Sequence, residues 1–377
     1  MSGEGARRAD SVGSALWRDA GAGIDVVLLR GDAAARRRIE SELDAAGRPL
    51  SLPSRLGWAG VVAPAASWFL GVRDAGGRWL TGVGVEVNRS RALPGHLLLR
   101  AERLGEHVPA ELRHAVAFAL AALARGEPRV LRLNVEVVAL SADCRAEWGT
   151  HLGAAGLRRL STVRNYGQTL VVDLRPTEEE ILAGFSSKTR RDLRASQKLP
   201  IRVEPITDLR HAQRMNALLE ETLGRTGGVF RPIDWEPRIA LSVAEPERAH
   251  LVGLFAPVES GAEELLAFAW AGAHGDHAHY DTAASTRAGG YKVPLAYPLM
   301  WDLIRWAKRT GARHFDLGGV SDGTRESGDP LGGISDFKRW FSKEQVVIAD
   351  EWRLDPRPVR GALAQLISRA AVRLGRS

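Results

Sequence analysis

The stretch from Tyr280 to Ile348 constrains the possible folds of this chain more than any other. Its pattern predicts a strand that ends near Thr282, an amphipathic helix, and then a buried strand from His314 to Leu317. A loop rich in glycine and aspartate follows at Gly318-Gly319 and leads into the aromatic and basic segment DFKRWF, residues 336–341. This order of elements is typical of half of an acyltransferase fold and differs from that of a dehydrogenase or a kinase.

The rest of the chain follows a similar order, because each half consists of helix, antiparallel strands, and then helix and strand. A length of 377 residues fits two domains of ordinary size. We therefore predict an α/β protein with two similar domains, mixed and largely antiparallel sheets, and a cleft between the domains, where ligands commonly bind. The predicted units are a flexible N-terminus at 1–22, a first domain at 23–174, a second domain at 175–355 and a C-terminal amphipathic helix at 356–377.

The amino-acid composition limits the classes of partner and the cellular compartment that we expect for this chain. The net charge of +7 suits an anionic partner such as nucleic acid, nucleotide or anionic lipid, although arginine-rich soluble proteins also have such a charge. The single cysteine, Cys144, cannot form an internal disulfide and fits a reducing compartment. The chain has neither an apolar signal segment near its start nor a run of about 18 apolar residues. We expect a cytoplasmic monomer in which any membrane contact is peripheral.

Three segments resemble the Fem family of aminoacyl-tRNA-dependent transferases, which form peptide bonds and are best known for building peptidoglycan cross-bridges. These segments are SSKTRRDLRASQK at 186–198, DLGG at 316–319 and FKRWF at 337–341, within a resemblance that spans roughly residues 20–355. The resemblance implies two acetyltransferase-like (GNAT) domains in tandem, aminoacyl-tRNA as co-substrate and no cofactor. Some Fem proteins carry a long coiled-coil arm, and this sequence resembles the arm-less type.

Lys338 is the main catalytic candidate. Its flanks, Phe337 and Trp340, are apolar, and a buried lysine is costly unless it meets an anion. The resemblance implies that Lys338 stabilises the oxyanion that forms when an amine attacks an ester, and that Phe337 contacts the substrate. The alternative is a lysine whose stem packs on the protein while its amine remains in water.

Other candidates follow predicted strands. Asp316 either receives the acceptor ammonium as a second catalytic residue or caps its own loop through the backbone. Tyr280 and Asp281 are candidate substrate contacts. The resemblance also implies an acidic acceptor contact after the strand at 96–99, for which Glu102 and Glu106 both qualify, and we take Glu102.

Arg225, at a predicted helix end, either complements the helix dipole or, as the resemblance implies, holds the diphosphate of a UDP-linked acceptor. In a first-domain loop, Fem members that use UDP-muramoyl peptides have a lysine shortly after an aromatic residue. Here Trp58 is followed by AGVV, and Arg55 is the available substitute. This departure favours a different acceptor amine, either lipid-linked or a small natural-product scaffold.

A basic segment is the candidate tRNA-binding surface. Its residues share one helical face and either neutralise phosphates or form a solvated face paired with the glutamates at 178–180. The candidates are Lys188, Arg190, Arg191, Arg194 and Lys198, together with Arg339.

Two other chemistries are disfavoured. His274, His277 and His279 lack the carboxylate or cysteine that would complete a zinc site, so we predict no metal. The acyl-CoA signature, which cradles a pyrophosphate between a strand and a helix, matches only at 18–23, before the first strand, and does not match at 283–294.

The C-terminal helix has an apolar stripe at helical spacing, and its arginines lie mostly off that stripe. We expect the stripe to pack on the second domain. An anionic membrane or a tRNA surface is the alternative.

We therefore predict a Fem-like aminoacyltransferase that moves an aminoacyl group from tRNA to an acceptor amine. The alternatives are an acyl-CoA-dependent N-acyltransferase and a non-catalytic protein that binds tRNA or membrane on the same fold.

Overall fold

The computed structural model describes residues 15–257, 263–287, 290–291, 293–324, 326–329 and 332–373. The strands within these ranges are numbered in chain order. They are β1 (Ala15–Asp19), β2 (Ile24–Arg30), β3 (Ala66–Asp74), β4 (Trp79–Arg89), β5 (Leu97–Leu104), β6 (Val130–Val138), β7 (Arg158–Arg159), β8 (Gln168–Asp173), β9 (Arg202–Pro205), β10 (Ala249–Pro257), β11 (Glu263–Ala273), β12 (His277–Ser285), β13 (His314–Gly319), β14 (Gln345–Val347) and β15 (Ala349–Leu354).

The α-helices begin where the sequence supplies caps. Asp32, for example, accepts a hydrogen bond from the backbone N–H of Ala35, and Thr177 forms a capping box with Glu180. The helices are α1 (Ala33–Ala45), α2 (Leu56–Val62), α3 (Ala110–Gly126), α4 (Ala142–Ala154), α5 (Glu178–Gly184), α6 (Ser187–Ser196), α7 (Ala212–Thr226), α8 (Glu236–Ala244), α9 (Ala296–Arg309), α10 (Gly332–Arg339) and α11 (Pro358–Arg373).

The strands form two mixed sheets, one for each half of the chain. The first sheet has eight strands in the order β1-β2-β3-β4-β5-β6-β15-β7, and the second has seven in the order β14-β8-β13-β12-β11-β10-β9. Each sheet has one parallel pair, β5 with β6 and β12 with β13, and the other pairs described are antiparallel. Helices α3 and α9 connect the strands of these pairs. The predicted α/β fold with two similar halves is confirmed.

The two connecting helices bury different kinds of side chain. α3 is rich in alanine and packs closely on the first sheet, with Ala115 and Ala119 almost fully buried. α9 buries larger residues at the predicted helical spacing, including Leu299, Leu303 and Ile304. Because each fully buried leucine contributes roughly 1.5–3 kcal/mol, α9 is firmly attached to the second sheet.

Contacts between the halves fix their relative position. The backbone N–H of Leu52 donates to Nδ1 of His274 at 3.1 Å. The rings of Trp58 and Trp270 stack with centroids 5.8 Å apart and planes 10° from parallel. A residue from each half contributes to both contacts, so a site at the boundary has a defined geometry.

Two details differ from the sequence-based expectations. Residues 15–19, expected to be flexible, form β1 and pair with β2 in antiparallel fashion, while 1–14 lie outside the described residues. β15 lies within the range 175–355 predicted for the second domain, yet it pairs with β6 in the first sheet. β15 lies between β6 and β7 in the first sheet. Its local sequence does not reveal which sheet it joins. The domain boundaries themselves stay a prediction.

The expected packing of the C-terminal helix is wrong. α11 lies against the first half of the chain, where Gly361 faces the carbonyl of Leu131, and its apolar residues point outward. Val359 is 82% exposed and Leu366 is 63% exposed. None of the described helices is long and apolar enough to cross a membrane.

Candidate active site

Strands β12 and β13 separate just beyond a short parallel ladder, and the gap between them is the centre of the candidate site. The ladder joins His277–His279 to His314–Asp316. Gly318 follows with a φ of 78°, a conformation that glycine adopts without the steric cost of a side chain. A Cβ atom on Gly318 would lie 3.1 Å from Nζ of Lys338 and 3.3 Å from the carbonyl oxygen of Tyr280. The glycine therefore leaves room for the lysine.

Helix α10 carries Lys338 into this gap. The residue is 5% exposed, and Nζ donates a hydrogen bond of 2.7 Å to the carbonyl oxygen of Gly319. Nζ also lies 5.6 Å from the centroid of the Tyr280 ring. Burial lowers the pKa of Lys338 to about 8, and the charge of Asp316 opposes this shift. The structure thus places the amine inside the protein and not in water, while its catalytic role stays a prediction.

Asp316 lies beneath the lysine and is fully buried. Its carboxylate accepts hydrogen bonds from Tyr166 Oη at 2.7 Å, from Gly318 N at 2.7 Å and from Oγ1 of Thr169. The contact with Gly318 is the backbone cap that the sequence offered as the alternative role for this aspartate. Because protein groups already occupy both oxygens, this geometry favours the cap over direct contact with an acceptor ammonium.

Arg103 and His277 complete the surroundings of Asp316. Arg103 Nη2 and His277 Nε2 each lie 3.7 Å from its Oδ2. Burial raises the pKa of Asp316, but the neighbouring imidazole of His277 and then the guanidinium of Arg103 outweigh burial, so the net pKa is lowered. Asp316 is therefore a buried anion that holds the first half of the chain, through Arg103, against the second.

Sequence reasoning missed Arg103, Tyr166 and His277 in this cluster. Arg103 has a φ of 52°, and the register of the β5–β6 ladder shifts between Ala101 and Leu104. Such a bulge redirects side chains, and the short sequence around it gives no sign of it. Tyr166 precedes a predicted strand, where an aromatic residue is too common to be informative.

A group of carboxylates continues from Arg103 across the first sheet. Glu102 forms an ion pair of 2.6 Å with Arg100. Burial raises the pKa of Glu102 to about 8, and the charges of Glu86 and then Glu136 act in the same direction. Oε2 of Glu136 is buried and lacks a hydrogen-bond partner among the described residues. Glu106, the other candidate after this strand, is exposed, so the geometry favours Glu102 as an acceptor contact.

Two adjoining clefts, with volumes of about 730 and 620 Å³, are lined by neighbours of Lys338 but not by the lysine itself. Arg225, Arg287 and Phe337 line both. Tyr280, whose ring faces Lys338, lines the smaller cleft. A substrate in that cleft would therefore lie next to Tyr280, the residue that borders the buried amine of Lys338.

With this geometry established, the chain can be compared with known proteins. Residues 184–339 match the family described as Acetyltransferase (GNAT) domain. No curated protein sequence matches the chain. The crystal structure of FemX superposes with a TM-score of 0.69 at 15% sequence identity, covering 86% of this chain and 98% of FemX. The chain has the FemX fold.

Two further solved structures are similar at a TM-score of 0.46 and 15% identity. L-PGS from Bacillus licheniformis is covered over 96% of its chain and 88% of this one. A tandem GNAT protein from the clavulanic acid biosynthesis pathway is covered over 99% of its chain and 89% of this one. The predicted resemblance to the Fem family is confirmed by the FemX superposition. The predicted tandem GNAT-like fold is confirmed by the GNAT match of residues 184–339 together with the two similar mixed sheets. The longest described helix, α3, has 17 residues, so the described part of the chain contains no coiled-coil arm.

Within the FemX-like fold, Arg225 lies at the clefts as predicted for a substrate contact. It forms an ion pair of 2.8 Å with Glu221, and Nη2 donates to the carbonyl oxygen of Ser285 at 2.9 Å. Asp281 follows Tyr280 on β12 and lies 3.8 Å from His279. Burial raises the pKa of Asp281, but the neighbouring His279 imidazole, followed by Thr282 and Arg238, outweighs burial and lowers it. The substrate roles of Arg225, Tyr280, Asp281 and Phe337 stay predictions.

Arg55 occupies a position that its sequence did not suggest. Its side chain is buried and bridges the two halves, donating to Asp44 at 2.8 and 3.1 Å and to Glu245 at 2.9 Å. With Nε, Nη1 and Nη2 all engaged, Arg55 is a structural ion-pair residue and not a cleft residue. Trp58 is likewise used in the stack with Trp270, so the geometry does not support substrate contact for either residue.

The basic segment forms α6, but its cations divide into two groups. Arg191, Arg194 and Lys198 are exposed, as a phosphate-binding face requires. Lys188 instead pairs with Asp192 at 2.6 Å, so it is held on the protein.

Two other candidate tRNA residues are held by backbone carbonyls. Arg190 donates to the carbonyl oxygen of Ala183 at 2.8 Å. Arg339 donates to the carbonyl oxygens of Ser321 at 2.6 Å and Gly323 at 2.9 Å, which fixes the loop before α10. Their spacing alone could not show this, because the acceptors come from other elements. The tRNA role is best retained for the exposed group.

The histidines of β12 and its turn have structural contacts. Nε2 of His274 lies 2.7 Å from Nδ1 of His279, and burial lowers the pKa of both residues. No group of three or more metal-binding side chains is arranged for a metal ion among the described residues.

Proposed function

We propose that the protein transfers an aminoacyl group from aminoacyl-tRNA to an acceptor amine and forms an amide bond. The observation that carries this proposal is the buried amine of Lys338 in the gap between β12 and β13, where it faces the ring of Tyr280, a residue that lines a cleft. The match of residues 184–339 to a GNAT domain supports acyl transfer. The FemX fold and the Fem-like segments of the sequence support the aminoacyl donor.

In this reaction the amine nitrogen attacks the ester carbonyl carbon, and the carbonyl π electrons move to oxygen. The tetrahedral intermediate then collapses, the C–O ester bond breaks, and the ribose oxygen leaves with the proton lost by the amine. Lys338 uses one N–H on the Gly319 carbonyl and keeps two others for the oxyanion. Such a preorganised donor is worth roughly 3–4 kcal/mol in the transition state.

The acceptor is proposed to be an amine that binds at the first half of the chain. Glu86, Glu102 and Glu136 form a group beside Arg103, and their mutual repulsion helps to raise the pKa of Glu102. An ammonium group bound among them would relieve this repulsion and is therefore favoured there. Since Arg55 is held by carboxylates, a UDP-muramoyl acceptor lacks the expected cation in this loop. A small-molecule or lipid-linked amine suits the site better.

An acyl-CoA donor is the second candidate. The larger cleft includes the first turn of α9, at Leu295 to Tyr297, with Arg225 and Arg287 nearby. A helix N-terminus with adjacent arginines attracts phosphate groups. The sequence in that loop does not carry the acyl-CoA signature, which weakens this candidate.

The test is to incubate the protein with charged tRNA or acyl-CoA and a panel of amines, and to identify products by mass spectrometry. Amide formed from charged tRNA and lost in Lys338→Ala would support the proposal. Product from acyl-CoA alone would favour the second candidate. Reaction with neither donor would point to a non-catalytic binding protein.

A further inference from the structure

Helix α11 faces the protein with its small residues and faces water with its large apolar ones. Gly361 is buried, and Ala364 and Gln365 are half-buried against the first half of the chain. The exposed fractions of the large residues are 82% for Val359, 49% for Leu363, 63% for Leu366 and 39% for Ile367. A helix of a globular protein normally has the opposite arrangement.

The exposed residues form one continuous stripe. At about 100° per residue, they fall within an arc roughly 100° wide, centred opposite Gly361. Arg360 and Arg369 project on either side of this stripe at the same spacing, and both are exposed. An apolar stripe bordered by cations is the arrangement of helices that lie in a membrane interface.

A second basic feature lies on the other side of α11, behind the stripe. A cleft of about 550 Å³ separates α11 from the first sheet. Five arginines line it: Arg89, Arg91, Arg132, Arg353 and Arg369. Arg132 pairs with Asp355 at 3.0 Å, whereas Arg89, Arg91 and Arg369 form no ion pair with the described residues. This cleft can accept phosphate groups, and Arg369 connects it to one border of the stripe.

We propose that α11 docks on an anionic lipid bilayer, with the apolar stripe in the headgroup–acyl boundary and with Arg360 and Arg369, at its borders, against lipid phosphates. The arginine-lined cleft behind the helix adds longer-range attraction to the anionic surface. Charge favours this occupant over a second copy of the chain. Two copies meeting stripe to stripe would bring Arg360 and Arg369 of both copies together, and like charges repel. The net charge of +7 adds attraction to an anionic surface.

The first test is co-sedimentation with vesicles of phosphatidylcholine alone or with roughly 30 mol% phosphatidylglycerol. We expect the full-length protein to bind only the anionic vesicles. Leu366→Asp should weaken binding roughly 10- to 100-fold, because an apolar side chain is lost from the membrane interface. Val243→Asp is the matched control, because Val243 is also an exposed apolar helix residue, at 54%, but lies on α8. This control should bind as the wild type does.

The cleft is tested separately. Each arginine near an anionic surface contributes roughly fivefold to binding, so Arg89→Gln with Arg91→Gln should weaken it about 25-fold. Insertion can be followed directly, because Cys144 is 4% exposed and a dye on Leu366→Cys would report position 366. Its emission should shift to the blue on anionic vesicles.

Several outcomes would overturn the proposal. They are the absence of vesicle binding by the wild type, equal binding to neutral vesicles, and unchanged binding by Leu366→Asp. A dimer that Leu366→Asp dissociates, without vesicle binding, would show that α11 is a self-association surface instead. If the double arginine variant lost tRNA binding and kept vesicle binding, the cleft would belong to tRNA. These results do not depend on which acyl donor the enzyme uses.

Discussion

Replacing Lys338 with methionine should remove activity without loss of stability. The residue is 5% exposed, and burial lowers its pKa from 10.5 to about 8. At 1.36 kcal/mol per pKa unit, keeping this amine charged costs the folded protein roughly 3 kcal/mol near pH 7. The methionine variant avoids that cost, but it also loses the hydrogen bond to Gly319, which reduces its stability by about 1–3 kcal/mol. Lys338→Met should therefore be as stable as the wild type or up to about 2 kcal/mol more stable.

The difference in stability between Lys338→Met and the wild type should depend on pH in a definite direction. Between about pH 8 and 10.5 the unfolded lysine binds a proton that the folded lysine has lost, so wild-type stability rises with pH in this window. Below pH 8 the full penalty applies. The advantage of Lys338→Met should thus be largest near pH 7 and should vanish by about pH 10.

The assay is urea unfolding of both proteins at pH 7 and pH 9.5, together with single-turnover transfer from charged tRNA. The rate should fall by two to three orders of magnitude, as for loss of an oxyanion donor. Near-wild-type turnover would refute the catalytic role. A variant less stable than the wild type at both pH values would refute the buried, destabilising ammonium.

Three further predictions concern other parts of the site. If Lys338 acts as a cation, the rate of the chemical step should fall above about pH 8, where the lysine loses its proton. Asp316→Asn removes the negative charge that opposes the lowered lysine pKa, so the fall in rate should occur at lower pH in this variant. A flat pH profile would contradict both expectations. Arg191→Ala with Arg194→Ala should make tRNA binding less sensitive to salt. In filter-binding titrations, the slope of the logarithm of the binding constant against the logarithm of salt concentration should become shallower by roughly 0.7 for each phosphate that is no longer neutralised. An unchanged slope would leave α6 as a solvated face. Arg55→Ala should destabilise the protein by roughly 2 kcal/mol in urea unfolding, because it removes charged hydrogen bonds to the half-buried Asp44 and Glu245, which keep only Arg248 among the described residues.

Local patterns were sufficient for the elements of the second half. The helical spacing around Leu299 and Leu303 predicted α9, and the apolar flanks of Lys338 predicted a buried lysine. In both cases the signal lies within one segment, because burial on one face imposes a period on the sequence. The resemblance to Fem proteins added the tandem arrangement, which the FemX structure confirms.

Contacts between distant segments could not be predicted in the same way. Arg103 and Asp316 belong to different halves, and their approach depends on how two sheets are placed. The sequence of α11 correctly indicated an apolar stripe, but periodicity does not identify what a stripe contacts. Arg55 appeared to be a free loop cation, because its partners Asp44 and Glu245 come from other elements.

The candidate site depends on both halves of the chain, although the lysine belongs to one. Asp316 supplies the charge that opposes the lowered pKa of Lys338, and Tyr166 and Arg103 hold Asp316 in place. Arg103 also adjoins the carboxylates around Glu102, where we propose that the acceptor binds. One chain of buried charges therefore runs from the proposed acceptor side to the amine that we propose stabilises the oxyanion. An isolated second half would retain Lys338 and Asp316 but lose Arg103 and Tyr166, the contacts that hold Asp316 in place.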